Sequence, residues 1–296
     1  MSMSVSWPYR FKSLSPDEVQ YRREILNLRG YYAQCSALVV IFSIFIYRNT
    51  PRNDSTQQAV HARKISWWDS PPFRGWTETR KQYLITLLWL TWLLSLSVWK
   101  TGDDYLHLTK ALGHVSLSQL PFQFLLSPTS FIFTSNPALP SILSVITSIP
   151  QPALTPYHRL FGRLIILPLL LSHGALYLLF FAQLKHPDFG TLLVKRIQDL
   201  DVQWGLAGLG LALSILLFQR PTPNKLGSQR WTMGHLLGSR KRTFYVVHLS
   251  LVAGMLVAAY FHVIYARVFV LETVGIFLAD IVCCWALTVL KKTPRT

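Results

Sequence analysis

Four histidines lie within or at the ends of two strongly apolar stretches of the sequence. His158 and His173 are 15 residues apart, and His248 and His262 are 14 residues apart. At about 100° and 1.5 Å per residue, a helix would place the members of each pair roughly on one face, with about 21 Å between them along its axis. An ionisable side chain at membrane depth indicates a functional site. A hydrogen-bonded packing role is the alternative for any single one of them.

The two pairs are matched in depth. One other apolar stretch separates them, so both helices would cross a membrane in the same direction, with the first histidine of each at the same level. An iron held by two imidazoles takes one nitrogen from each side of the porphyrin. We therefore predict that His158 and His248 bind an inner haem and that His173 and His262 bind an outer one. Such an iron has no open coordination site, which favours electron transfer over oxygen binding.

The register of the first pair depends on Pro168, which lies between its two histidines. A proline inside a helix marks a kink or a π-bulge. A π-bulge would absorb one residue and give His158 and His173 the register of the partner helix, whereas a simple kink would not. A rival pairing joins His173 with His186, but residues 185–188 (KHPD) are typical of an extramembrane loop.

The helices that must position these histidines belong to an integral membrane protein. Of the 296 residues, 51% are apolar and 14% are charged, and the mean hydropathy is +0.31, which is too hydrophobic for a soluble domain. Crossing a bilayer takes about 20 apolar residues. Seven stretches qualify, the third being the least apolar: 30–48, 82–99, 112–134, 157–182, 202–219, 243–265 and 268–290. We predict an all-α membrane protein with seven transmembrane helices in a lipid bilayer.

Positive charge is concentrated on one side of these predicted helices. The chain has 29 Lys and Arg against 13 Asp and Glu, a formal net charge of +16. Of these basic residues, 18 lie on the side of the first, third and fifth loops and the C-terminus. The positive-inside rule puts that side in the cytosol and accounts for the charge without nucleic acid, which we exclude as a partner. Residues 1–29 contain no apolar h-region, so the first span is expected to serve as the anchor without a cleavable signal peptide.

Motifs around the four histidines resemble the ferric reductase and NADPH oxidase family. Residues 158–163 (HRLFGR) are similar to the HRxxGR opening of the first haem-binding helix in that family. Residues 244–248 (FYVVH) resemble the (Y/F)xxxH opening of the second haem-binding helix, and residues 260–262 (YFH) resemble its end. Residues 111–121 are similar to the small-residue and LP pattern of the preceding span.

The resemblance implies a ferric-reductase-like haem-binding bundle over about 105–290. It would carry two haem b groups and pass single electrons from cytosolic NADPH and FAD to an outside acceptor such as ferric chelate or oxygen. The rest of the chain would be a tail at 1–29, two spans with a basic loop at 30–104 and a short cytosolic tail at 291–296. Arg163, in the HRLFGR motif, would either pair with a propionate of the inner haem or extend towards the membrane surface.

The cytosolic flavin and nicotinamide domain of that family has no counterpart in this sequence. The chain ends six residues after the seventh predicted span, without an HPFT-type flavin motif or a glycine-rich nucleotide loop. FAD and NADPH are therefore expected only through a separate flavin reductase subunit or a missing C-terminal domain. The predicted protein is the membrane electron-transfer part of an oxidoreductase, in the plasma membrane or alternatively in an endomembrane. The competing hypothesis is a cofactor-free channel or scaffold that keeps the reductase fold.

Predictions can also be made for Met255, for Asp280 and for the other five histidines. Met255 lies between His248 and His262 on about the same face, and packing is favoured over an inter-haem role. Asp280, within the last span, is expected to bond to a neighbouring helix or to mark the interior of the bundle. Five histidines are expected in loops or at span ends, where an imidazole can be hydrated: His61, His107, His114, His186 and His235.

Overall fold

The computed structural model describes residues 9–10, 12–50, 66–129, 140–182, 189–218 and 241–292. Eleven α-helices are found in these ranges, and no strand is. They are α1 (Pro16–Asn49), α2 (Arg80–Val98), α3 (Tyr105–Ser118), α4 (Leu120–Leu125), α5 (Ile142–Thr147), α6 (Gln151–Phe161), α7 (Leu167–Ala182), α8 (Phe189–Gln198), α9 (Leu200–Leu217), α10 (Lys241–His262) and α11 (Arg267–Lys292). A π-helical turn, Gly162–Ile166, joins α6 to α7. The predicted all-helical class is confirmed.

Six helical segments of the described residues are long and apolar enough to cross a membrane. They are α1, α2, the continuous segment from α6 through α7, α9, α10 and α11. Their large apolar side chains point outwards in many places, as at Leu88, Leu271 and Val282, which are about 60% exposed. Lipid tails are as apolar as these side chains, so the bilayer is the medium that such a surface requires. The chain is therefore an integral, multi-pass membrane protein.

The third predicted span differs from the other six. The chain is helical from Tyr105 rather than from 112, and the helix is interrupted at Gln119. Pro121 explains the interruption, because a proline has no N–H to donate to the carbonyl four residues upstream. The side chain of Gln119 accepts a hydrogen bond from Trp89 Nε1 at 3.1 Å, which ties the break to α2. Neither α3 nor α4 alone is long enough to cross a bilayer.

α3 is the central helix of the bundle. Twelve of its 14 residues are buried. One hydrophobic cluster surrounds Val115 and includes side chains of α1, α2 and α7, such as Leu93 and Leu169. A second cluster joins the end of α3 to α7, α9, α10 and α11 around Phe269 and Met255. Met255 thus lies in the packed core, as predicted.

Contacts at the helix ends show which segments share a side of the bundle. The N–H of Arg10 donates to the carbonyl of Asp103 at 2.7 Å, and the N–H of Tyr105 donates to the carbonyl of Arg10 at 3.0 Å. At the other end, Gln151 Nε2 donates to the carbonyl of Leu126 at 3.2 Å. The residues before α1 therefore lie beside the start of α3, and the end of α4 lies beside the start of α6.

Candidate functional site

The four histidines lie on two helical segments that are not packed directly on each other. His158 lies in α6 and His173 in α7, whereas His248 and His262 both lie in α10. α7 packs on α3 and α9, and α10 packs on α9, while α7 and α10 make at most isolated backbone contacts. All four imidazoles are only partly buried. Side chains from both helices reach into the space between α7 and α10.

His173 and His262 face each other across this space. The centres of their rings are 6.1 Å apart, and the ring planes are inclined at 55°. His173 Nδ1 donates to the carbonyl of Thr109 at 2.7 Å, and His262 Nδ1 donates to the carbonyl of Asp201 at 2.6 Å. A carbonyl oxygen can only accept, so each Nδ1 carries a proton, and in the neutral form of the imidazole Nε2 is then the nitrogen with the lone pair. Metal-binding histidines are typically held in this way.

His158 and His248 form a looser pair. His158 Nδ1 lies 3.0 Å from the carbonyl oxygen of Gln123 in α4, and Gln123 Nε2 donates back to the carbonyl of His158 at 2.9 Å. His248 stacks on Phe244, with 5.6 Å between ring centres. Each of these two imidazoles therefore has its own partner within the protein. Among the described residues, however, the two rings are not in contact.

The π-helical turn answers the question of register in the first helix. Its five residues, Gly162–Ile166, lie between His158 and His173, and the N–H of Leu167 bonds to the carbonyl of Gly162, five residues back. Pro168 follows directly, so its ring avoids the carbonyl that a regular helix would place against it. Of the two predicted causes of irregularity, a π-bulge and a simple kink, the π-bulge is confirmed. The carbonyl of Ile166 also accepts a hydrogen bond from Ser116 at 3.0 Å, which holds the turn against α3.

Arg163 has a protein partner that the sequence did not reveal. Its guanidinium and that of Arg159 bind the same oxygen of Glu78, at 3.2 Å and 3.0 Å. Glu78 is 2% exposed and directly precedes the N-cap of α2, Thr79. Two cations and one anion leave this cluster with one uncompensated positive charge. The only sequence signal for Glu78 was that it is one of three acids, with Asp54 and Asp69, on an otherwise basic side.

Two predictions about polar residues outside the pairs have opposite outcomes. His107 and His114 were expected to be hydrated, but they are 5% and 6% exposed and lie on buried faces of α3. That prediction was wrong, because α3 begins seven residues earlier than the predicted span and is enclosed on all sides. Asp280 is confirmed as an interior residue, fully buried and bonded to Thr129 and to the N–H of Ile142. The other three histidines lie outside the described residues: His61, His186 and His235.

The histidine nitrogens of this site suit a metal group whose equatorial ligands come from a cofactor rather than from the protein. No cluster of three or more His, Cys, Asp or Glu side chains that could hold a bare metal ion is found within the described ranges. A haem iron needs only two axial nitrogens from the protein. In the outer pair the structure supplies two lone-pair nitrogens on rings whose planes and tautomers are fixed. The residues present therefore fit a haem better than a metal site built from protein ligands alone.

Comparison with known proteins was made for the whole chain. A profile of the family described as ferric reductase like transmembrane component matches residues 112–259, which is half of the 296 residues. The match contains His158, His173 and His248, and His262 lies three residues beyond its end. No curated protein and no solved structure matches the chain significantly. On the extent of this match, the protein belongs to the family of ferric reductase-like transmembrane components.

Proposed function

We propose that this protein carries electrons across a membrane through two haem b groups, an inner one bound by His158 and His248 and an outer one bound by His173 and His262. Family membership supports the broader statement, a membrane oxidoreductase of the transmembrane electron-transfer type. The observation that carries the proposal is the geometry of the outer pair. Bound haem supplies a one-electron carrier, and the protein supplies position, tautomer and a water-poor setting.

The separation of the outer rings supports two axial bonds to one iron. An imidazole nitrogen binds a metal at about 2 Å, and the ring centre lies about 1 Å further away, so two such rings should be about 6 Å apart between centres. The ring centres of His173 and His262 are 6.1 Å apart. Their Nδ1 hydrogen bonds select the neutral tautomer in which Nε2 has the lone pair that can bind iron.

Arg163 is the residue we propose for a propionate of the inner haem. The cluster of Arg159, Arg163 and Glu78 has a net positive charge, and its two arginines lie in the same helical stretch as His158. A carboxylate brought to this cluster would balance its charge. The side chain of Arg163 remains about one-third exposed, so it can accept a second anionic partner.

We further propose that the chain crosses the membrane seven times. The third crossing would be formed by α3 and α4 together, since neither is long enough alone. The start of α3 is bonded to the residues before α1, and the end of α4 is bonded to the start of α6, so the chain passes from one side of the bundle to the other between them. Residues 105–125 would extend about 30 Å, enough for a bilayer core. The N-terminal side would then be outside and the C-terminus cytosolic, following the positive-inside rule.

The electron donor and acceptor belong to the same proposal. Cytosolic FAD and NADPH would act through a partner flavin reductase subunit or a further domain, and the acceptor on the other side would be a ferric chelate or oxygen. The membrane we propose is the plasma membrane. A cofactor-free channel or scaffold is the competing function, and it predicts a colourless protein even from haem-replete cells.

The test is pairwise loss of haem. Replacing either member of a pair by Leu removes one axial nitrogen, so His173→Leu and His262→Leu should delete or convert the same spectral component of the purified protein, and His158→Leu and His248→Leu the other. His114→Leu is the matched control, because His114 is buried and its Nε2 has no hydrogen-bond partner within the described part of the chain. Its spectrum should equal that of the wild type. Loss of a component in the His114 variant together with full retention in the His173 variant would refute the proposed ligands.

A further inference from the structure

The two outer histidines are seated on their neighbouring helices in the same way. His173 donates to the carbonyl of Thr109 in α3, and His262 donates to the carbonyl of Asp201 in α9. In each helix the residue four positions further on is a glycine, Gly113 in α3 and Gly205 in α9. This repeated arrangement was not apparent from the sequence, because Thr109 and Asp201 contribute only backbone atoms.

Each glycine makes room for the imidazole. A Cβ atom on Gly113 would lie 2.9 Å from Cγ of His173, and one on Gly205 would lie 2.6 Å from Cε1 of His262. Such distances are well inside carbon–carbon contact, so a side chain at either position would displace the ring. In a helix, the carbonyl of residue i bonds to the N–H of residue i+4. At Thr109 and Asp201 the imidazole that shares this carbonyl lies over residue i+4, and a glycine there leaves the space for it.

We infer that Gly113 and Gly205 are positioning residues for the outer haem ligands. Together with the carbonyls of Thr109 and Asp201, they form two opposed seats that hold the imidazoles at bonding distance from one iron. The inference rests on the proposed function for the identity of the bound group. Within the described residues His158 has no equivalent seat, because the carbonyl that it uses belongs to Gln123, and Ser127, four positions further on, lies beyond the end of α4.

The first experiment replaces each glycine by alanine in the full chain and records optical and low-temperature electron paramagnetic resonance spectra. Gly113→Ala and Gly205→Ala should each change the low-spin ferric signal of the outer haem, which should shift, weaken or become high-spin. The reason is that a displaced ring cannot keep its bond to iron. The inner signal in the same sample should be unchanged and reports that the protein is folded. Gly210→Ala is the matched control in α9, because a Cβ there would meet nothing within 4 Å.

A second experiment covers the case in which a glycine variant does not fold. His262→Gly removes the ligand, and added imidazole should restore the outer signal by occupying the vacated seat. In the Gly205→Ala, His262→Gly double variant the added methyl overlaps this seat, so half-restoration should need about tenfold more imidazole or should fail. The Gly210→Ala, His262→Gly double variant should respond like His262→Gly alone.

The outcomes separate this inference from the proposed function. Purified protein without any haem would contradict the proposed function and this inference with it. Two normal haem signals in both glycine variants, or equal restoration by imidazole with and without the alanine at 205, would contradict the positioning role alone. Loss of the inner signal with retention of the outer one would also refute it.

Discussion

Glu78 is the counterion of two arginines in the HRLFGR motif (158–163), and its removal should destabilise the fold. Arg159 and Arg163 share one of its oxygens, and the carboxylate is 2% exposed. Glu78→Gln leaves two adjacent cations without their anion. Since both guanidinium groups are partly hydrated, we expect a loss of about 1–2 kcal/mol rather than the larger cost of a fully buried pair. The thermal unfolding midpoint should fall measurably.

Asp69→Asn provides the control for this prediction. Asp69 pairs with Lys81 at 3.8 Å, and both side chains are more than half exposed. Its replacement should leave the unfolding midpoint within experimental error, as for most surface pairs. Equal midpoints for the Glu78 and Asp69 variants would show that the buried cluster does not stabilise the fold.

The carboxyl of Asp103 lies outside the membrane-spanning helices and should make the stability of the fold depend on pH. Hydrogen bonds from Lys12 and Arg10 lower the pKa of its carboxyl to about 2. A lowered pKa means that the stabilisation is complete above the unfolded value of about 4 and is lost as the pH falls towards 2. The carboxyl carbon shift of Asp103 in a ¹³C-aspartate-labelled sample, assigned with Asp103→Asn, should titrate near pH 2. A midpoint near pH 4 would mean that the N-terminal segment is not held at this carboxylate.

At the residue scale, sequence reasoning found side chains that are exceptional for their surroundings. Four histidines in apolar helices stand out whatever the fold, and so does Asp280. Partners that act through backbone atoms leave no such signal, which is why the carbonyls of Thr109 and Asp201 were not predicted. His107 and His114 were misjudged because hydration depends on which helix lies beside α3, and that is a property of tertiary packing.

At the scale of the helix, the π-turn should be exchangeable for a shorter regular helix. Deleting Leu164 together with Pro168→Leu would place His158 and His173 14 positions apart, the spacing of the two histidines in α10. The helix could then close without the bulge, so the outer haem signal should persist. Deleting Val257 from α10 is the control, because α10 has no bulge and the deletion rotates His262 by about 100°. If the Leu164 deletion abolished the outer signal and the Val257 deletion did not, the turn would not set the register.

Helix identity was more predictable than helix boundaries. Long apolar stretches specify a crossing by length alone, so six segments agree closely with the described helices. The exception is the least apolar stretch, 112–134. There Pro121 interrupts the backbone hydrogen bonds of the helix, and burial against neighbouring helices stabilises a segment that is less apolar than the other six. α1 is longer than predicted, because its Ser15 capping box with Glu18 starts the helix before the apolar residues begin.

At the scale of the whole molecule, the side on which each segment lies can be tested with single cysteines in a cysteine-free background. Ser13 lies on the N-terminal side, whereas Arg74 and Ala153 lie on the other side if α3 and α4 cross the membrane. All three positions are exposed. In intact cells, a membrane-impermeant maleimide should label Ser13→Cys alone and should label Arg74→Cys and Ala153→Cys only after permeabilisation. Labelling of Ala153→Cys together with Ser13→Cys would contradict the crossing at α3 and α4.

The overall class followed from composition, but the internal arrangement did not. Seven apolar stretches of about 20 residues are sufficient to predict a bilayer, and charge asymmetry is sufficient to propose an orientation. The central position of α3 and the bonding of Arg10 and Lys12 to residues 103–105 depend on contacts distant in sequence. No pattern within either segment encodes them.

The π-turn also has a meaning for the history of the sequence. A π-turn contains one residue more than the same stretch of a regular helix, so Gly162–Ile166 is where this chain accommodates an extra residue. An alignment of this chain with a relative whose corresponding helix is regular should then have a gap of one residue within that turn. Without a gap between His158 and His173, one of the two histidines would be aligned with the wrong column, and its equivalent in the relative would be missed.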